Sequence, residues 1–458
     1  KMATYREELT TLNDRTIACI YDNTTEDITG DVHQAEDLDQ NGTFYGNLLP
    51  LRGDAFRVVR GGVTADPVDN FNALQAAYDE AKALTPYGNP LSATNRVTII
   101  LMPGTYDGVL EVDTEFIDFK GLGVDASDTV LTTSDQSSVI KSVDDVHFGN
   151  LTIATTSPVS NPAAGAFHLT TLSPNEVFDH VSFVAPVKSM TTPSGPFLMS
   201  GNYNDCTSNT SLSFLLAAGG VCRRCVAPGG GGAGDSSFSG SDAFFYNCKC
   251  SNSGFRGQSF FYNCTGGTNS FSQVKEAYNC IGGNGSFELN GLYASHIENC
   301  IGGNGSFCGT GHIGDVINCT GGTGCFVLGT LSGRIAGCRA GDGSFQVSTV
   351  ITGTIDNCDF RFSDGQRILG DGAKVIGCRL TYDGIGSPTN VFLLNTSAST
   401  PVIIYCTFLD MPSGYYCVAG DGANSATVAH CTGGADGTAS MTNNAATPYN
   451  VFIAALNA

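Results

Sequence analysis

The chain has 458 residues, of which 58 are Gly, none is Trp and only 14% are charged. So few charges cannot cover a compact surface, and the composition favours a β-rich repeat protein over a helical bundle. The formal net charge of −21 repels nucleic acid and anionic membranes, so we expect neither as a partner. The sequence has no run of about 18 apolar residues and no signal-peptide core near Lys1, which predicts neither membrane insertion nor Sec-type export.

Residues 4–13 and 30–38 predict two short helices on either side of the phrase IYDNTTEDITG, which begins at Ile20. This phrase resembles a short module found at the start of many phage tail proteins, where it precedes the fibre or spike. The resemblance implies that residues 1–50 attach the chain to other virion proteins.

Residues 69–84 predict an amphipathic helix, because their apolar side chains repeat at helical spacing. The residues of this stripe are Phe71, Leu74, Tyr78 and Ala81. Apolar strands follow, one ending in Pro-Gly-Thr-Tyr and a later one in Gly-Leu-Gly. This order resembles the beginning of pectate-lyase-like β-helix proteins. The resemblance implies that the helix caps the open end of the solenoid and protects its edge.

Strand-like phrases also surround Phe119, Phe148 and Phe178, which lie 29 and 30 residues apart. Their spacing indicates early coils that are longer than the later ones. The extra residues must form loops, where such scaffolds place recognition.

The second half of the chain repeats the phrase Asn-Cys-x-Gly-Gly, beginning at Asn263, Asn279, Asn299 and Asn318. A period of about 20 residues with no helical pattern inside it predicts a solenoid of short strands. The Gly-Gly pair supplies the positive φ of a tight corner. Because coils lie about 4.8 Å apart, like residues stack into ladders. We expect the stacked asparagines to form a corner ladder that bonds backbone groups.

Two inward-facing ladders follow from this repeat. The cysteine ladder is predicted at Cys264, Cys280, Cys300, Cys319, Cys338, Cys358 and Cys378. The phenylalanine ladder is predicted at Phe271, Phe287, Phe307, Phe326 and Phe345. Cβ atoms stacked at the coil spacing lie too far apart for an unstrained disulfide, so we expect reduced, buried thiols that fill the core. Zinc is the alternative, at Cys222 and Cys225 or at Cys248 and Cys250, but no tetrahedral spacing recurs.

The predicted fold class is therefore an all-β solenoid, a right-handed parallel β-helix with an N-terminal capping helix and a small helical N-terminal module. Residues 1–50 form the module and residues 51–96 the linker and capping helix. The β-helix extends over residues 97–440, and residues 441–458 form a C-terminal cap.

Three carboxylates, Glu111, Asp113 and Glu115, alternate along one predicted strand and share its outer face. Neighbours on such a face lie about 6.6–7 Å apart, within the separation that a glycoside hydrolase needs. Any alternating pair on a strand has this spacing, so a solvated acidic face is the alternative. These three residues are the catalytic candidates.

Acidic and basic residues also alternate in a later coil, at Asp359, Arg361, Asp364 and Arg367. They are candidates for lining a sugar groove, and a salt-bridged surface is the alternative. The calcium cluster and arginine motif of pectate lyases are not recognisable. We expect no metal and no cofactor.

Together, the N-terminal phrase and the β-helix resemble a phage tailspike or tail-fibre protein. The resemblance implies a virion protein, assembled in the host cytoplasm, that attaches to bacterial surface polysaccharide or another receptor and associates as a homotrimer. A polysaccharide depolymerase, either hydrolase or lyase, on the same scaffold is the first alternative. A bacterial surface adhesin is the second. The short, charge-poor later coils leave little room for a catalytic cleft, so attachment without catalysis is the favoured interpretation.

Overall fold

The computed structural model describes residues 55–452 except for a set of internal gaps. The gaps are residues 134–138, 144, 156–166, 170–174, 185–200, 210–213, 217, 229–236, 290–295, 313, 364–366, 385–389, 395–400, 411–415, 420–425, 434–439 and 444–450. The predicted helical module at residues 1–50 lies outside the described residues. The chain divides into two compact units, residues 1–196 and 197–458.

Among its described residues, the first unit contains one α-helix, α1 (Pro67–Ala81), which confirms the predicted helix with slightly earlier bounds. Asp66 caps it by accepting the Val68 backbone N–H at 2.9 Å, and Pro67 begins it, where a missing N–H costs nothing. Leu74, Tyr78 and Ala81 are buried as predicted, and Phe71 is only half-buried.

Ten strands accompany α1. They are β1 (Phe56–Val59), β2 (Val97–Leu101), β3 (Gly104–Asp107), β4 (Leu110–Val112), β5 (Ile117–Gly121), β6 (Thr129–Thr133), β7 (Ile140–Ser142), β8 (His147–Thr155), β9 (Phe167–Leu169) and β10 (Val177–Val184). Two short 3₁₀ turns, Pro86–Gly88 and Ala126–Asp128, lie between them. Strands β1, β2, β5, β8 and β10 pair in that order, β3 pairs with β6 and β6 with β8, and β4, β7 and β9 form a third series. All of these pairings are parallel.

An internal column of aromatic rings connects α1 to these coils. Phe119, Phe148 and Phe178 stack with centroids 5.3 and 5.4 Å apart. Tyr78 of α1 lies on the first of these rings, with its centroid 6.1 Å from that of Phe119. The helix therefore covers the end of the core column, as the predicted cap requires.

The strands of the second unit are shorter and follow one another at the predicted period. They are β11 (Asn202–Asn204), β12 (Thr207–Ser208), β13 (Phe214–Leu216), β14 (Val221–Arg223), β15 (Val226–Ala227), β16 (Phe238–Gly240), β17 (Phe244–Tyr246), β18 (Lys249–Cys250), β19 (Phe255–Arg256), β20 (Phe260–Tyr262), β21 (Glu276–Tyr278), β22 (His296–Glu298), β23 (Gly309–His312), β24 (Asp315–Ile317), β25 (Thr320–Gly321), β26 (Val327–Leu331), β27 (Arg334–Ala336), β28 (Arg339–Ala340), β29 (Gln346–Ile351), β30 (Thr354–Asp356), β31 (Asp359–Phe362), β32 (Arg367–Leu369), β33 (Lys374–Ile376), β34 (Arg379–Tyr382), β35 (Asn390–Leu394), β36 (Val402–Ile404), β37 (Thr407–Leu409), β38 (Tyr416–Ala419), β39 (Thr427–Ala429), β40 (Thr432–Gly433), β41 (Ser440–Asn443) and β42 (Val451–Phe452).

These strands stack in three parallel columns, which make the three sides of each coil. The first column is β11, β14, β17, β20, β21, β22, β24, β27, β30, β33, β36, β39 and β42. The second is β12, β15 and β18, continued through single bridges to β25, β28, β31, β34, β37 and β40. The third comprises β13, β16 and β19 and then β23, β26, β29, β32, β35, β38 and β41. The predicted parallel β-helix is confirmed.

The corner after each first-column strand is left-handed. Asn263, Asn279, Asn299 and Asn318 all have φ between 53° and 55°, a conformation that Asn adopts more readily than most residues. Their side chains are exposed, and each backbone N–H bonds to the next coil, as when Asn299 donates to Ile317 O at 2.9 Å. The predicted ladder therefore bonds the coils through its own backbone.

The cysteine ladder comes one residue after this corner, and it is longer than predicted. All seven predicted rungs are buried. Further rungs occur at Cys206, Cys225, Cys248, Cys406 and Cys431, each two residues after a first-column strand. The Cys300 Sγ donates to Glu298 O at 3.3 Å and to Ala277 O of the preceding coil at 3.5 Å. The thiols thus bond the strand backbone as well as filling space.

The phenylalanine ladder stacks on the opposite side of the core. Centroids of successive rings lie 4.7–4.9 Å apart from Phe255 through Phe271, Phe287 and Phe307 to Phe326. The last predicted rung, Phe345, stacks on Phe360 at 4.8 Å. A buried hydroxyl precedes most rungs, and the Ser306 hydroxyl accepts the Ser286 N–H at 3.2 Å. Hydrogen bonds between coils therefore run beside the ring stack.

Candidate functional site

The predicted catalytic carboxylates do not lie together on one strand. Strand β4 ends at Val112, so Glu111 lies on it and Asp113 and Glu115 lie in the turn that follows. All three are exposed. Glu111 forms an ion pair with Lys141 at 2.7 Å. The expectation of a shared strand face is wrong, because the chain turns immediately after Val112.

Asp113 instead holds the capping helix. The Tyr78 hydroxyl donates to Asp113 Oδ1 at 2.7 Å and accepts the backbone N–H groups of Asp113 at 2.8 Å and Thr114 at 3.1 Å. Burial raises the pKa of Tyr78 to about 12, and the bond from Tyr78 holds the pKa of Asp113 below its ordinary value. This geometry anchors α1 to the turn after β4.

The predicted sugar-binding residues of the later coil are also separated. Arg367 has no exposed surface, since its Nε donates to Phe345 O at 2.6 Å and its guanidinium lies 4.4 Å from the Phe362 ring centroid. It is therefore out of reach of a polysaccharide, which corrects the expectation. Asp359 and Arg361 form ion pairs with Arg379 and Asp342, at 4.0 and 3.0 Å. Asp364 lies outside the described residues.

A different surface of the second unit combines aromatic and charged side chains. We call it the outer aromatic face, defined by the aromatic, histidine and charged residues that face outward on five neighbouring first-column strands. They are Arg223, Phe244, Tyr246, Phe260, Tyr262, Glu276, Tyr278, His296 and Glu298. The side chain between each outward pair is buried, as Phe245 and Phe261 are, so alternation along the strand turns the flanking residues outward.

The aromatic rings of this face form two outward ladders. Tyr246, Tyr262 and Tyr278 stack with centroids 5.0 and 5.3 Å apart, and Phe244 stacks on Phe260 at 4.7 Å. All five side chains are half-buried. Because the ring faces cover one another, the ladders present their ring edges to the solvent. The face is rigid, since parallel register fixes each ring on the one before it.

Two basic side chains contact these ladders from different coils, Arg223 from the coil before Tyr246 and Lys275 from the coil after Phe260. The Arg223 guanidinium lies 5.6 Å from the Tyr246 ring centroid. The Lys275 Nζ lies 4.9 Å from the Phe260 centroid and 2.9 Å from an Asp242 carboxylate oxygen. Cations over aromatic rings are attracted by the ring quadrupole, so these contacts fix both side chains against the face.

Carboxylates and a histidine lie at the end of the tyrosine ladder opposite Arg223. The His296 ring is tilted against Tyr278 with centroids 5.2 Å apart, and its two nitrogens lie 3.2 Å from Glu298 and 3.8 Å from Asp315. Burial raises the pKa of Tyr278, and the neighbouring Glu276 carboxylate adds to the effect. The phenol is therefore neutral around pH 7 and can donate a hydrogen bond.

Sequence reasoning missed this surface, although a signal was present. The tripeptide Phe-Phe-Tyr precedes Asn-Cys twice, at residues 244–246 and 260–262, and Glu-Ala-Tyr precedes it at 276–278. The middle residue of each is the core position, so the residues on either side must face outward.

A second charged cluster lies in the first unit, where it joins neighbouring coils. Arg96 donates to both Asp118 carboxylate oxygens and to Asp145, at 2.6–2.9 Å. His147 lies beside both acids, and burial lowers its pKa. Because Arg96 engages both carboxylates, the cluster is a structural link between coils.

The fold and this surface define the chain as a parallel β-helix protein with an outward aromatic face. No family model and no curated protein matches the sequence. Among solved structures, the A-module of mannuronan C-5 epimerase AlgE6 from Azotobacter vinelandii is 15% identical, covers 86% of this chain and 100% of its own, and has a TM-score of 0.24. The tailspike gp49 of Acinetobacter baumannii bacteriophage Fri1, a capsular polysaccharide depolymerase, is 12% identical, with coverages of 88% and 65% and a TM-score of 0.20. ORF18 of Geobacillus virus E2 is 10% identical, with coverages of 92% and 63% and a TM-score of 0.20. Similarities of this size assign no activity.

In the part of the chain that the structure describes, every helix is too short or too polar to cross a membrane.

Proposed function

We propose that this chain is a phage tail protein of the tailspike or tail-fibre type, whose β-helix attaches the virion to polysaccharide on the bacterial surface. The observation that carries the proposal is the outer aromatic face. A second support is the phrase at Ile20, which resembles the attachment module of phage tail proteins and supplies the link to other virion proteins.

The chemistry of the face suits a sugar chain. Carbohydrates combine apolar C–H surfaces with many hydroxyls, and tyrosine offers an apolar ring and a polar tip to match. Tyr262 and Tyr278 present apolar ring edges and polar hydroxyl groups, and Glu276 and Glu298 add hydrogen-bond acceptors beside them.

The repeat of the face also suits a polymer. Equivalent rings recur at every coil from Tyr246 to Tyr278, about 5 Å apart. A ligand lying across the coils would therefore meet like groups repeatedly. Stacking already fixes these side chains, so binding costs little conformational entropy.

The test is to titrate the full chain against a panel of purified bacterial capsular and O-antigen polysaccharides. We expect saturable binding to one or a few members, with an affinity that Tyr246→Ser and Tyr262→Ser weaken. The matched control is Tyr405→Ser, since Tyr405 is another exposed aromatic residue, stacked on His430 at 4.9 Å. Binding that is lost equally in all three variants would contradict the proposed face.

Depolymerisation is a second candidate function, and the acidic end of the face favours it. Glu276 and Glu298 lie on adjacent strands, and both carboxylates add to the elevation of the Tyr278 pKa that burial begins. Glycosidases use two carboxylates that flank the scissile bond. Under this candidate, Glu276→Gln and Glu298→Gln abolish shortening of the bound polysaccharide and leave its binding intact. A wild-type chain that binds polysaccharide without shortening it leaves attachment as the function.

A further inference from the structure

Two cysteines of neighbouring coils have their sulfurs in contact beneath the outer aromatic face. The Sγ atoms of Cys222 and Cys248 are 3.8 Å apart, and neither residue has exposed surface. Cys222 lies in the middle of β14 and points inward between Val221 and Arg223. Cys248 is the corner rung that follows β17.

The pair differs in register from successive rungs of the cysteine ladder, two of which, Cys225 and Cys264, also interact with the Cys248 thiol. Rungs stacked in register are held about 4.8 Å apart by the coil spacing, whereas the Cβ atoms of a disulfide lie about 3.8 Å apart. Cys222 is not in register with Cys248, since its partner on β17 is Phe245. The Cys248 thiol therefore approaches Cys222 from the corner and also donates to Cys222 O at 3.5 Å.

We propose that Cys222 and Cys248 are a disulfide-forming pair, which closes when the protein meets a peroxide-class oxidant. One thiol reduces hydrogen peroxide and becomes a sulfenic acid, with release of one water. The second thiol attacks that sulfur, the S–S bond forms and a second water leaves. Two thiols are thus oxidised by two electrons, and one peroxide is reduced to two waters.

The bond would join the two coils that carry Arg223 and Tyr246 of the outer aromatic face. Arg223 is the neighbour of Cys222, and Tyr246 lies two residues before Cys248. A link across them holds the Arg223–Tyr246 contact and restricts opening of this part of the solenoid, where each coil is stabilised mainly by its neighbours. Formation after release from a reducing cytoplasm rests on the proposed virion function. The ability of the two thiols to form a disulfide does not depend on that function.

Peptide mapping of the full chain tests the proposal. The protein is treated with hydrogen peroxide, its remaining thiols are alkylated under denaturing conditions, and it is digested with trypsin. Cleavage after Arg223 and Arg224 separates the two sulfurs, so the bond must join peptide 189–223 to peptide 225–249. We expect this linked species, 2 Da lighter than the sum of its parts, in the wild type.

Variants identify the sulfurs, because these peptides also contain Cys206 and Cys225. The link should disappear in Cys222→Ser and persist in the matched control Cys225→Ser. Fragmentation of the wild-type linked peptide locates the bonded residues directly, should a variant fail to fold. Oxidation should also raise the thermal midpoint by about 5–10 °C, reversibly with dithiothreitol.

A linked species that persists in Cys222→Ser, or fragments that place the bond at Cys206 or Cys225, would overturn the assignment. Full alkylation of Cys222 and Cys248 after peroxide treatment would do the same. Polysaccharide binding by the reduced protein is measured separately, so failure of the disulfide proposal is distinguishable from failure of the proposed function.

Discussion

The backbone N–H of Asn299 donates to the carbonyl oxygen of Ile317 at 2.9 Å, while Asn299 itself has a φ of 53°. The same corner is formed by Gly337 and Gly377 in later coils, with φ of 62° and 63°. At this corner the coil therefore changes direction through one left-handed residue without interrupting the hydrogen bonds to the next coil.

This corner predicts different effects on stability for two small substitutions of Asn299. Asn299→Gly should leave the free energy of unfolding nearly unchanged, because Gly adopts positive φ without a steric cost. Asn299→Ala should lower it by about 1 kcal/mol, because Ala keeps the Cβ that disfavours the left-handed region and lacks the short polar side chain with which Asn tolerates it. Urea denaturation of both variants checks the order. Equal stabilities would mean that the corner conformation is not what selects Asn.

The cysteine ladder predicts a cost for removing one thiol. Cys300→Ala should lower the free energy of unfolding by roughly 1–3 kcal/mol, since it leaves a small void and removes the donor to two carbonyls. Thr320→Ala is the control on an exposed position of the next coil and should change stability by less than about 0.5 kcal/mol. A Cys300→Ala variant as stable as the control would show that the thiol contributes neither packing nor bonding.

The capping helix predicts a pH-dependent effect of one hydroxyl. Tyr78→Phe should destabilise the first unit by about 1–3 kcal/mol at neutral pH, because it removes the partner of Asp113 and of two backbone N–H groups. The pKa of Asp113 is lowered in the folded state, so the ionised carboxylate stabilises the fold above its ordinary pKa of about 3.9. That part is lost as the pH falls through the lowered value.

Thermal melts of wild type and Tyr78→Phe between pH 7 and pH 3 measure how the stability lost with the Tyr78 hydroxyl depends on pH. The difference in thermal midpoint between wild type and Tyr78→Phe should become smaller toward pH 3. Tyr106→Phe is a matched control, because the Tyr106 hydroxyl donates to the Met102 carbonyl and to no carboxylate. The difference in thermal midpoint between wild type and Tyr106→Phe should not change as Asp113 becomes protonated.

The resemblance to tailspike and tail-fibre proteins implies a homotrimer, which we propose for this chain. Light scattering of the full chain should then give a mass about three times 47.6 kDa, consistent with the closed symmetry of most homo-oligomers. A mass of one chain at micromolar concentration would remove the trimer from the proposal, and the outer aromatic face would act in single copies.

The solenoid could be predicted because its core positions repeat along the chain. Cys300 and Phe307 recur at a nearly constant interval, and each interval must return the chain to the same side of the core. The helix could be predicted because Leu74 and Tyr78 follow helical spacing. These features depend on local pattern and stacking alone.

The candidate site could not be predicted in the same way. Tyr246 and Tyr262 are aromatic residues that face outward. Aromatic side chains are equally typical of the core, so residue type alone does not place them on the surface. Arg367 is buried because Phe345 and Phe362 cover its guanidinium, which no spacing near Arg367 indicates. Asp113 lies in a turn and not on the predicted strand, because Tyr78, 35 residues earlier in the chain, holds that turn through its hydroxyl.

The most direct measurement is the affinity of the full chain for the polysaccharide selected from the panel, compared between Tyr262→Ser and Tyr405→Ser. The attachment proposal predicts that Tyr262→Ser weakens binding about fivefold or more, since a central aromatic contact contributes more than about 1 kcal/mol. It predicts that Tyr405→Ser binds like wild type. Unchanged affinity in a folded Tyr262→Ser variant would contradict the assignment of the outer aromatic face as the surface that holds the host polysaccharide.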